Sequence, residues 1–425
     1  KSDSDIFWVT GKPGSGKSTL MKHIVAAPET SERLGKWAGE RPLLVLSSYF
    51  WISGGEKQRN KAGFLRRLFY QAVDKHRDFA ADVFQEDLRS YRIFGPYLPR
   101  NDSPSESFWS DLELERLIRK LVGTACKTMN VAIFIDGLDE YGGNPNDIIS
   151  LLDGIFRASG TNETNKRLKL CVSSRPWPVF QSRFSCKPSI KMEDQNGPDI
   201  KHYVTSTLQR HPRWENLDRE RAQELNGDIA EMAEGVFLWA YLVTGLLTDA
   251  LNNGDGLEDL QHLLNRLPLE LTELFERILG SLEINQERFR KASELLELIL
   301  VTDDMSLPAL WVFYALLDPE EIYGISYQWL RPSQLNEKID QVKWMVSART
   351  KCLLEVAPGP AISDSDSHVN FDSYDVQFIH RTVGDYLKQP TVRENLQRAI
   401  KPTEKHPQTF NPHERLALVQ LARLK

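Results

Sequence analysis

The chain has 425 residues, which is more than one ordinary domain holds, so its length favours two or three domains. Hydrophobic residues make up 41% and charged residues 26%, a composition that is typical of folded globular proteins and argues against a disordered chain. The formal net charge of −6 provides no general attraction to phosphate backbones, so nucleic acid is not an expected partner.

Residues 1–192 alternate short, β-branched apolar runs with longer helical patterns, which is typical of a parallel sheet built from βαβ units. A stretch with several prolines at 91–107 is predicted as an irregular insertion before a helix at 108–128. The predicted strands are 6–10, 43–47, 131–135, 168–172 and 189–192. The sequence therefore predicts an α/β core with a five-stranded parallel sheet.

Helical patterns of period 3.6 dominate after residue 198, as at 199–208, 219–233 and 269–282. Two strand candidates, 352–356 and 376–379, flank a stretch rich in Pro, Gly, Ser and Asp. This arrangement is compatible with a β-hairpin in a winged-helix-like domain. We expect the core at 1–192, a small helical domain at 193–267, and a helical or winged-helix-like domain at 268–425.

A glycine-rich segment, Gly11 to Ser18, follows the first predicted strand and precedes a predicted helix at 17–27. Its spacing, G-x-x-x-x-G-K-[ST], is that of a phosphate-binding loop, in which successive backbone N–H groups point at phosphate oxygens. Lys17 would contact the β- and γ-phosphates, and the Ser18 hydroxyl would bind Mg²⁺. The candidate nucleotide-binding residues are Gly11, Pro13, Gly14, Ser15, Gly16, Lys17, Ser18 and Thr19.

Carboxylates follow the third predicted strand in the order of a Walker B segment. Asp136 stands at the carboxyl end of this strand, where open α/β sheets bind ligands, and is a candidate Mg²⁺ ligand together with Ser18. Glu140, or alternatively Asp139, is the candidate catalytic residue that orients or deprotonates the attacking water. An ordinary acidic loop after a buried strand would also have this composition.

The fourth predicted strand ends in Val172-Ser-Ser-Arg-Pro-Trp177. Arg175 at this edge is a candidate sensor that distinguishes triphosphate from diphosphate by a charge-assisted contact with the γ-phosphate. The alternative interpretation is a surface arginine at the end of a strand.

Three segments together resemble the NACHT class of STAND ATPases, in particular the nephrocystin-type modules common in filamentous fungi. They are FWVTGKPGSGKSTLMKHI, VAIFIDGLDEY and LKLCVSSRPWPVF, and the resemblance continues through DIKHYVTSTL, AEGVFLWAYLVTGLL, LNRLPLELTELFERIL and VQFIHRTVGDYL. It implies a P-loop NTPase core of the ASCE type, a small helical domain, and a winged-helix or helical domain that folds back on the nucleotide. It also implies an NLR-like switch that rests with ADP, then opens and oligomerises with ATP, in innate immunity or heterokaryon incompatibility.

The resemblance assigns two further residues in the helical half. Gly235-Val-Phe237 stands where the family has a Gly-x-Pro element near the adenine, so Phe237 replaces the proline at this contact. His380, in Phe378-Ile-His-Arg381, matches a histidine that binds the β-phosphate. From the residues alone, a core or edge-strand histidine is the alternative.

The expected cofactors are ATP or ADP and Mg²⁺, and the expected partners are adenine nucleotide and further copies of the chain. Because the sequence begins at Lys1 without methionine, we expect a module of a longer protein. The resemblance implies that the full-length protein also has an N-terminal effector domain and a C-terminal repeat domain. No apolar run reaches the roughly 20 residues that a transmembrane helix requires, so we expect no membrane span and a cytoplasmic location.

Three other functions are compatible with a phosphate-binding loop. An AAA+-like remodeller would use it for mechanical work, another P-loop ATPase for phosphotransfer, and a scaffold would only retain a vestigial site. No acceptor pocket or lid of a kinase is recognisable in the sequence. The presence of Lys17, Ser18, Asp136 and Glu140 argues against a vestigial site.

Overall fold

A computed structural model divides the chain into two compact units, Lys1–Gln195 and Asn196–Lys425. The structure describes residues 5–50, 59–76, 81, 85, 110–160, 167–302, 306–324, 332–358, 374–404, 406 and 408–423. The insertion predicted at 91–107 lies outside these residues. The first unit ends three residues after the predicted limit at 192, and the further division at 268 remains a prediction.

A five-stranded parallel sheet forms the centre of the first unit, as the apolar runs predict. Its strands are β1 (Ile6–Thr10), β2 (Leu43–Tyr49), β3 (Asn130–Asp136), β4 (Leu168–Ser174) and β5 (Ser189–Lys191). They lie in the order β2-β3-β4-β1-β5, with all neighbours parallel. The carboxyl ends of all five strands therefore meet at one edge of the sheet, where ligands bind in open α/β folds.

Helices cover both faces of this sheet. They are α1 (Lys17–Ala26), α2 (Pro28–Ala38), α3 (Lys61–Lys75), α4 (Asp111–Thr128), α5 (Pro145–Ala158) and α6 (Pro178–Phe184). All seven residues of β3 are buried, because this strand is covered on both sides. Val131, Ile133 and Ile135 belong to the core with α3 and α4, whereas Ala132 and Phe134 pack with α1 and α2.

The second unit is mainly helical, as the sequence predicts. Its helices are α7 (Gly197–Leu208), α8 (Arg219–Met232), α9 (Phe237–Asn253), α10 (Leu257–Asn265), α11 (Leu271–Glu283), α12 (Gln286–Leu300), α13 (Ala309–Ala315), α14 (Pro319–Gly324), α15 (Pro332–Thr350), α16 (Arg381–Leu387), α17 (Pro390–Ala399) and α18 (Pro412–Arg423). One cluster of buried apolar side chains extends from Ile200 to Val419. Within the described part of the chain, no helix combines the length and apolarity that a bilayer span requires.

A small antiparallel sheet lies among these helices, in the order β6-β8-β7. Its strands are β6 (Ser306–Pro308), β7 (Leu354–Pro358) and β8 (Tyr374–Phe378). β7 and β8 are the predicted hairpin strands, shifted by up to two residues, and their pairing is antiparallel. β6 was not predicted, because a three-residue strand is too short to show an alternating pattern. The winged-helix interpretation of this sheet remains a prediction.

A buried arginine joins two segments of the second unit. Arg290, on α12, is 6% exposed. Its Nη1 atom donates to the carbonyl oxygens of Ala399 at 3.3 Å and Lys401 at 2.6 Å, and its Nε lies 3.2 Å from Oε1 of Glu294. Because α17 ends at Ala399, this carbonyl has no partner within its own helix, and the guanidinium group provides one.

We expect Arg290→Met to lower the free energy of unfolding by about 3 to 5 kcal/mol, because it leaves a carboxylate and two backbone carbonyls without their buried cation. Urea unfolding followed by circular dichroism measures the change. Arg288→Met is the matched control, since Arg288 is exposed on the same helix. Equal midpoints for the two variants would contradict this role of Arg290.

Candidate nucleotide-binding site

The glycine-rich loop connects β1 to α1 at the carboxyl edge of the sheet. Gly14 and Gly16 have positive φ angles of 73° and 86°, a left-handed backbone that favours glycine. Gly16 directly precedes α1, so the loop ends at a helix N-terminus, where unpaired N–H groups and the helix dipole attract anions. Pro13 and the buried Ser15 lie in this loop, and Thr19 lies in the first turn of α1.

Lys17 begins α1, and its side chain folds back over the loop. Its Nζ atom donates to the carbonyl oxygens of Gly11 and Lys12, both at 2.9 Å. Burial lowers the pKa of Lys17 below its ordinary value, and the nearby Asp139 carboxylate opposes this shift. A partly buried ammonium group favours negatively charged partners, which phosphate oxygens at this helix N-terminus would supply.

Asp136 ends β3 and is 3% exposed. The strand register pairs Ile135 with Val172, so the next residues, Asp136 and Ser173, are neighbours. The Ser173 hydroxyl donates to Oδ1 of Asp136, and the Ser18 hydroxyl also bonds to this carboxylate. Burial raises the pKa of Asp136, and these two hydrogen bonds oppose the shift. A hydroxyl and a carboxylate in contact are hard oxygen ligands, which suit Mg²⁺ bound to nucleotide phosphates.

A second hydrogen bond orients the hydroxyl group of Ser173. The backbone N–H of Gly137 donates to Ser173 Oγ at 2.8 Å, so the hydroxyl proton is directed to Asp136. The next residue, Ser174, accepts a hydrogen bond from Nε1 of Trp8 at 2.9 Å and thereby joins β4 to β1. The two consecutive buried serines therefore bond to different strands, Ser173 to Asp136 on β3 and Ser174 to Trp8 on β1.

Arg175 follows β4 and pairs with Asp139, a contact that the sequence did not predict. Its backbone N–H donates to Oδ1 of Asp139 at 3.0 Å, and its Nε lies 3.1 Å from Oδ2. The side chain of Asp139 is 3% exposed and that of Arg175 is 20% exposed. Because one residue engages both oxygens of Asp139, this carboxylate is suited to anchoring Arg175. Glu140 lies on the same 3-10 turn and is only partly buried, which favours it as the group that orients water.

Phe237 and His380 belong to the second unit. Phe237 begins α9, and its ring lies 5.3 Å from that of Tyr203. His380 is the N-cap residue of α16, and its Nδ1 accepts a hydrogen bond from the Thr382 backbone N–H at 3.2 Å. His380 is therefore neither a core nor an edge-strand residue, and its local role is to cap a helix. Contacts of these two residues with adenine and the β-phosphate remain predictions.

Two comparisons with known proteins concern this site. Residues 1–175 match the family model described as Nephrocystin 3, N-terminal. The chain is also 26% identical, over 258 residues, to the vegetative incompatibility protein HET-E-1 of Podospora anserina. These matches support a NACHT-type STAND NTPase as the family of the first unit. The aligned region covers 58% of this chain and 17% of HET-E-1, so the chain spans a small part of that relative.

Further comparisons concern the second unit and the fold. Residues 283–424 match a model described as a domain of unknown function, DUF7791. A Walker-type ATPase of Pyrococcus abyssi has a TM-score of 0.32 and 12% identity, covering 91% of this chain and 92% of its own. The ORC2 protein of Aeropyrum pernix, in ADPNP–ADP complexes, has a TM-score of 0.34 and 11% identity, covering 93% and 88%. These TM-scores are too low to support a functional argument.

Two further residues belong to this site although no sequence motif marks them. Ser173 stands in the strand end Val172-Ser-Ser-Arg175 and bonds to Asp136. Glu193 lies one residue beyond the predicted end of the core, and its Oε2 accepts a hydrogen bond from the Lys12 backbone N–H at 3.2 Å. Ser173 lies near the carboxyl end of β4 and Glu193 follows that of β5, and this position at the carboxyl edge of a parallel sheet is the signal that could have identified them.

We expect Ser173→Ala to reduce the gain in ATP affinity that Mg²⁺ provides by about tenfold, because partners that orient a metal ligand typically affect affinity by this factor or more. ATP titrations in Mg²⁺ and in EDTA measure the gain. Ser174→Ala is the matched control, since it removes an equally buried hydroxyl that bonds to Trp8 instead of Asp136. A parental gain in Ser173→Ala would contradict the role of this hydroxyl.

Proposed function

We propose that this chain is the nucleotide-dependent switch of an NLR-like signalling ATPase. It binds ADP or ATP with Mg²⁺, hydrolyses ATP slowly, and opens and self-associates when ATP replaces ADP. The observation that carries this proposal is the convergence of Lys17, Ser18, Asp136 and the Arg175–Asp139 pair at one edge of the sheet. The similarity to a vegetative incompatibility protein supports a role in heterokaryon incompatibility or innate immunity.

The phosphates and Mg²⁺ of a bound nucleoside triphosphate would each have a matching group at this edge. The loop N–H groups and the N-terminus of α1 suit the phosphate oxygens. The Lys17 ammonium group, now bonded to two loop carbonyls, would turn to the β- and γ-phosphates. Ser18 and Asp136 would hold Mg²⁺, which when bound supplies positive charge beside the phosphates. Such a charge also favours the ionised form of Asp136, whose pKa burial raises.

The Arg175–Asp139 pair supports a site that distinguishes ATP from ADP. Asp139 engages the Nε atom of Arg175, and the other N–H donors of the guanidinium group would be offered to a γ-phosphate while this pair stays in place. A γ-phosphate is an anion that ADP lacks, so the charge-assisted contact would form only with the triphosphate. The contact of Arg175 would therefore depend on the nucleotide, which a switch requires. In this proposal Phe237 and His380 add contacts from the second unit.

We expect Lys17→Ala to lose most triphosphate binding, because it deletes the cation that would reach the β- and γ-phosphates from a loop that otherwise offers them backbone amides. Titration with a fluorescent ATP analogue measures the affinity, and Lys36→Ala, an exposed lysine on α2, is the control.

In the parent chain we expect copurified ADP and a higher mass by light scattering with the ATP analogue. Nucleotide-independent mass would favour a scaffold, and rapid turnover at constant mass would favour a working ATPase such as an AAA+-like remodeller.

We expect Glu140→Gln to slow ATP hydrolysis by about 10²- to 10⁴-fold while ATP affinity stays near the parental value, since an amide keeps the shape of the side chain but cannot accept a proton. Single-turnover hydrolysis and equilibrium binding separate the two effects. The comparison variant is Asp139→Asn, which we expect to lower thermal stability because Arg175 loses its anionic partner. A parental rate in Glu140→Gln would place the base elsewhere.

A further inference from the structure

Glu193 brings a carboxylate against the phosphate loop from the far side of β1. It lies on the 3-10 turn Met192–Asp194, which directly follows β5. Its Oε2 atom accepts a hydrogen bond from the backbone N–H of Lys12 at 3.2 Å, and its side chain is 6% exposed. Because β1 and β5 are parallel neighbours, this turn and the loop leave the sheet side by side.

The close approach depends on the first glycine of the loop. A Cβ atom on Gly11 would lie 2.5 Å from Oε2 of Glu193 and 3.1 Å from Cβ of Met192. The first distance is shorter than any ordinary van der Waals contact, so a side chain at Gly11 would displace the carboxylate. The Glu193 carboxylate therefore occupies space that is available only because residue 11 has no side chain.

The charge of Glu193 does not suit a direct role in holding phosphate. A carboxylate near the phosphates repels them, and burial of a charge costs free energy unless it is paired. Lys191 compensates only partly, since its Nζ lies 3.8 Å from Oε1 of Glu193 and its side chain is 54% exposed. Lys17 is a second nearby cation, and the Lys12 amide is the group that donates a hydrogen bond to this carboxylate.

We infer that Glu193 is a positioning residue, which holds the phosphate loop in its binding conformation by accepting a hydrogen bond from the Lys12 amide. Glu193 lies in the segment that connects the first unit to the second. The inference rests on the proposed nucleotide site and adds a residue outside its motifs. A loop that is already ordered binds its ligand without the entropic cost of being ordered on binding. Glu193 therefore acts on affinity without touching the nucleotide.

The test compares two substitutions of Glu193. We expect Glu193→Ala to weaken ATP binding by about tenfold, which is the effect of one hydrogen bond to a charged group. Glu193→Gln keeps an acceptor oxygen and removes the repelling charge, so we expect it to bind ATP at least as tightly as the parent. Asp194→Ala is the matched control, because Asp194 is adjacent, 58% exposed and bonded to Lys191. Parental affinity in Glu193→Ala, or equally weak binding in Glu193→Gln, would overturn the inference.

Hydrogen exchange of the Lys12 amide provides a second measurement that needs no nucleotide. We expect slow exchange in the parent and in Glu193→Gln, and faster exchange in Glu193→Ala. Fast exchange in the nucleotide-free parent would overturn the inference even if the alanine variant does not fold. If the parent binds no nucleotide, the proposed function fails, whereas the exchange rates still decide whether Glu193 holds the loop.

Discussion

The parallel register between β3 and β4 is the constraint on which the site depends. It sets Asp136 beside Ser173 and brings Asp139 within reach of Arg175. A shift by one residue would turn these side chains to the opposite face of the sheet. The apolar side chains of β3 prevent such a shift, because they alternate between two cores that differ in size and composition. The packing of the sheet therefore determines the geometry of its polar edge.

The same edge concentrates charge in a nearly buried region. Asp136 is 3% exposed, and the side chain of Asp139 is also 3% exposed. Lys17 and Arg175 lie beside these carboxylates. Burying these groups separately would be costly, and Asp136 is stabilised by the hydroxyls of Ser173 and Ser18 while Asp139 is stabilised by Arg175. Such an arrangement stabilises the fold less than an apolar core of equal volume would. Its value is a set of preoriented groups that respond together to the charge of a ligand.

The parts of the fold with a strong period were predictable from the sequence, and the parts that depend on tertiary neighbours were not. The five strands, the phosphate loop and the acidic strand end follow from local patterns of apolar residues, glycines and carboxylates. The pairing of Arg175 with Asp139 depends on which strands become neighbours. The strand order β2-β3-β4-β1-β5 cannot be predicted from local sequence patterns. Glu193 was overlooked because the predicted core ended at residue 192, one position before it.

The position of the Met192–Asp194 turn has a consequence for how the chain can be controlled. The turn bonds to the phosphate loop on one side and continues within a few residues into Asn196, where the second unit begins. Under the proposed function, a ligand whose binding displaces this turn would also alter nucleotide affinity, and nucleotide would alter the affinity of that ligand by the same factor. Such a ligand would act just after Gln195 without approaching the phosphates.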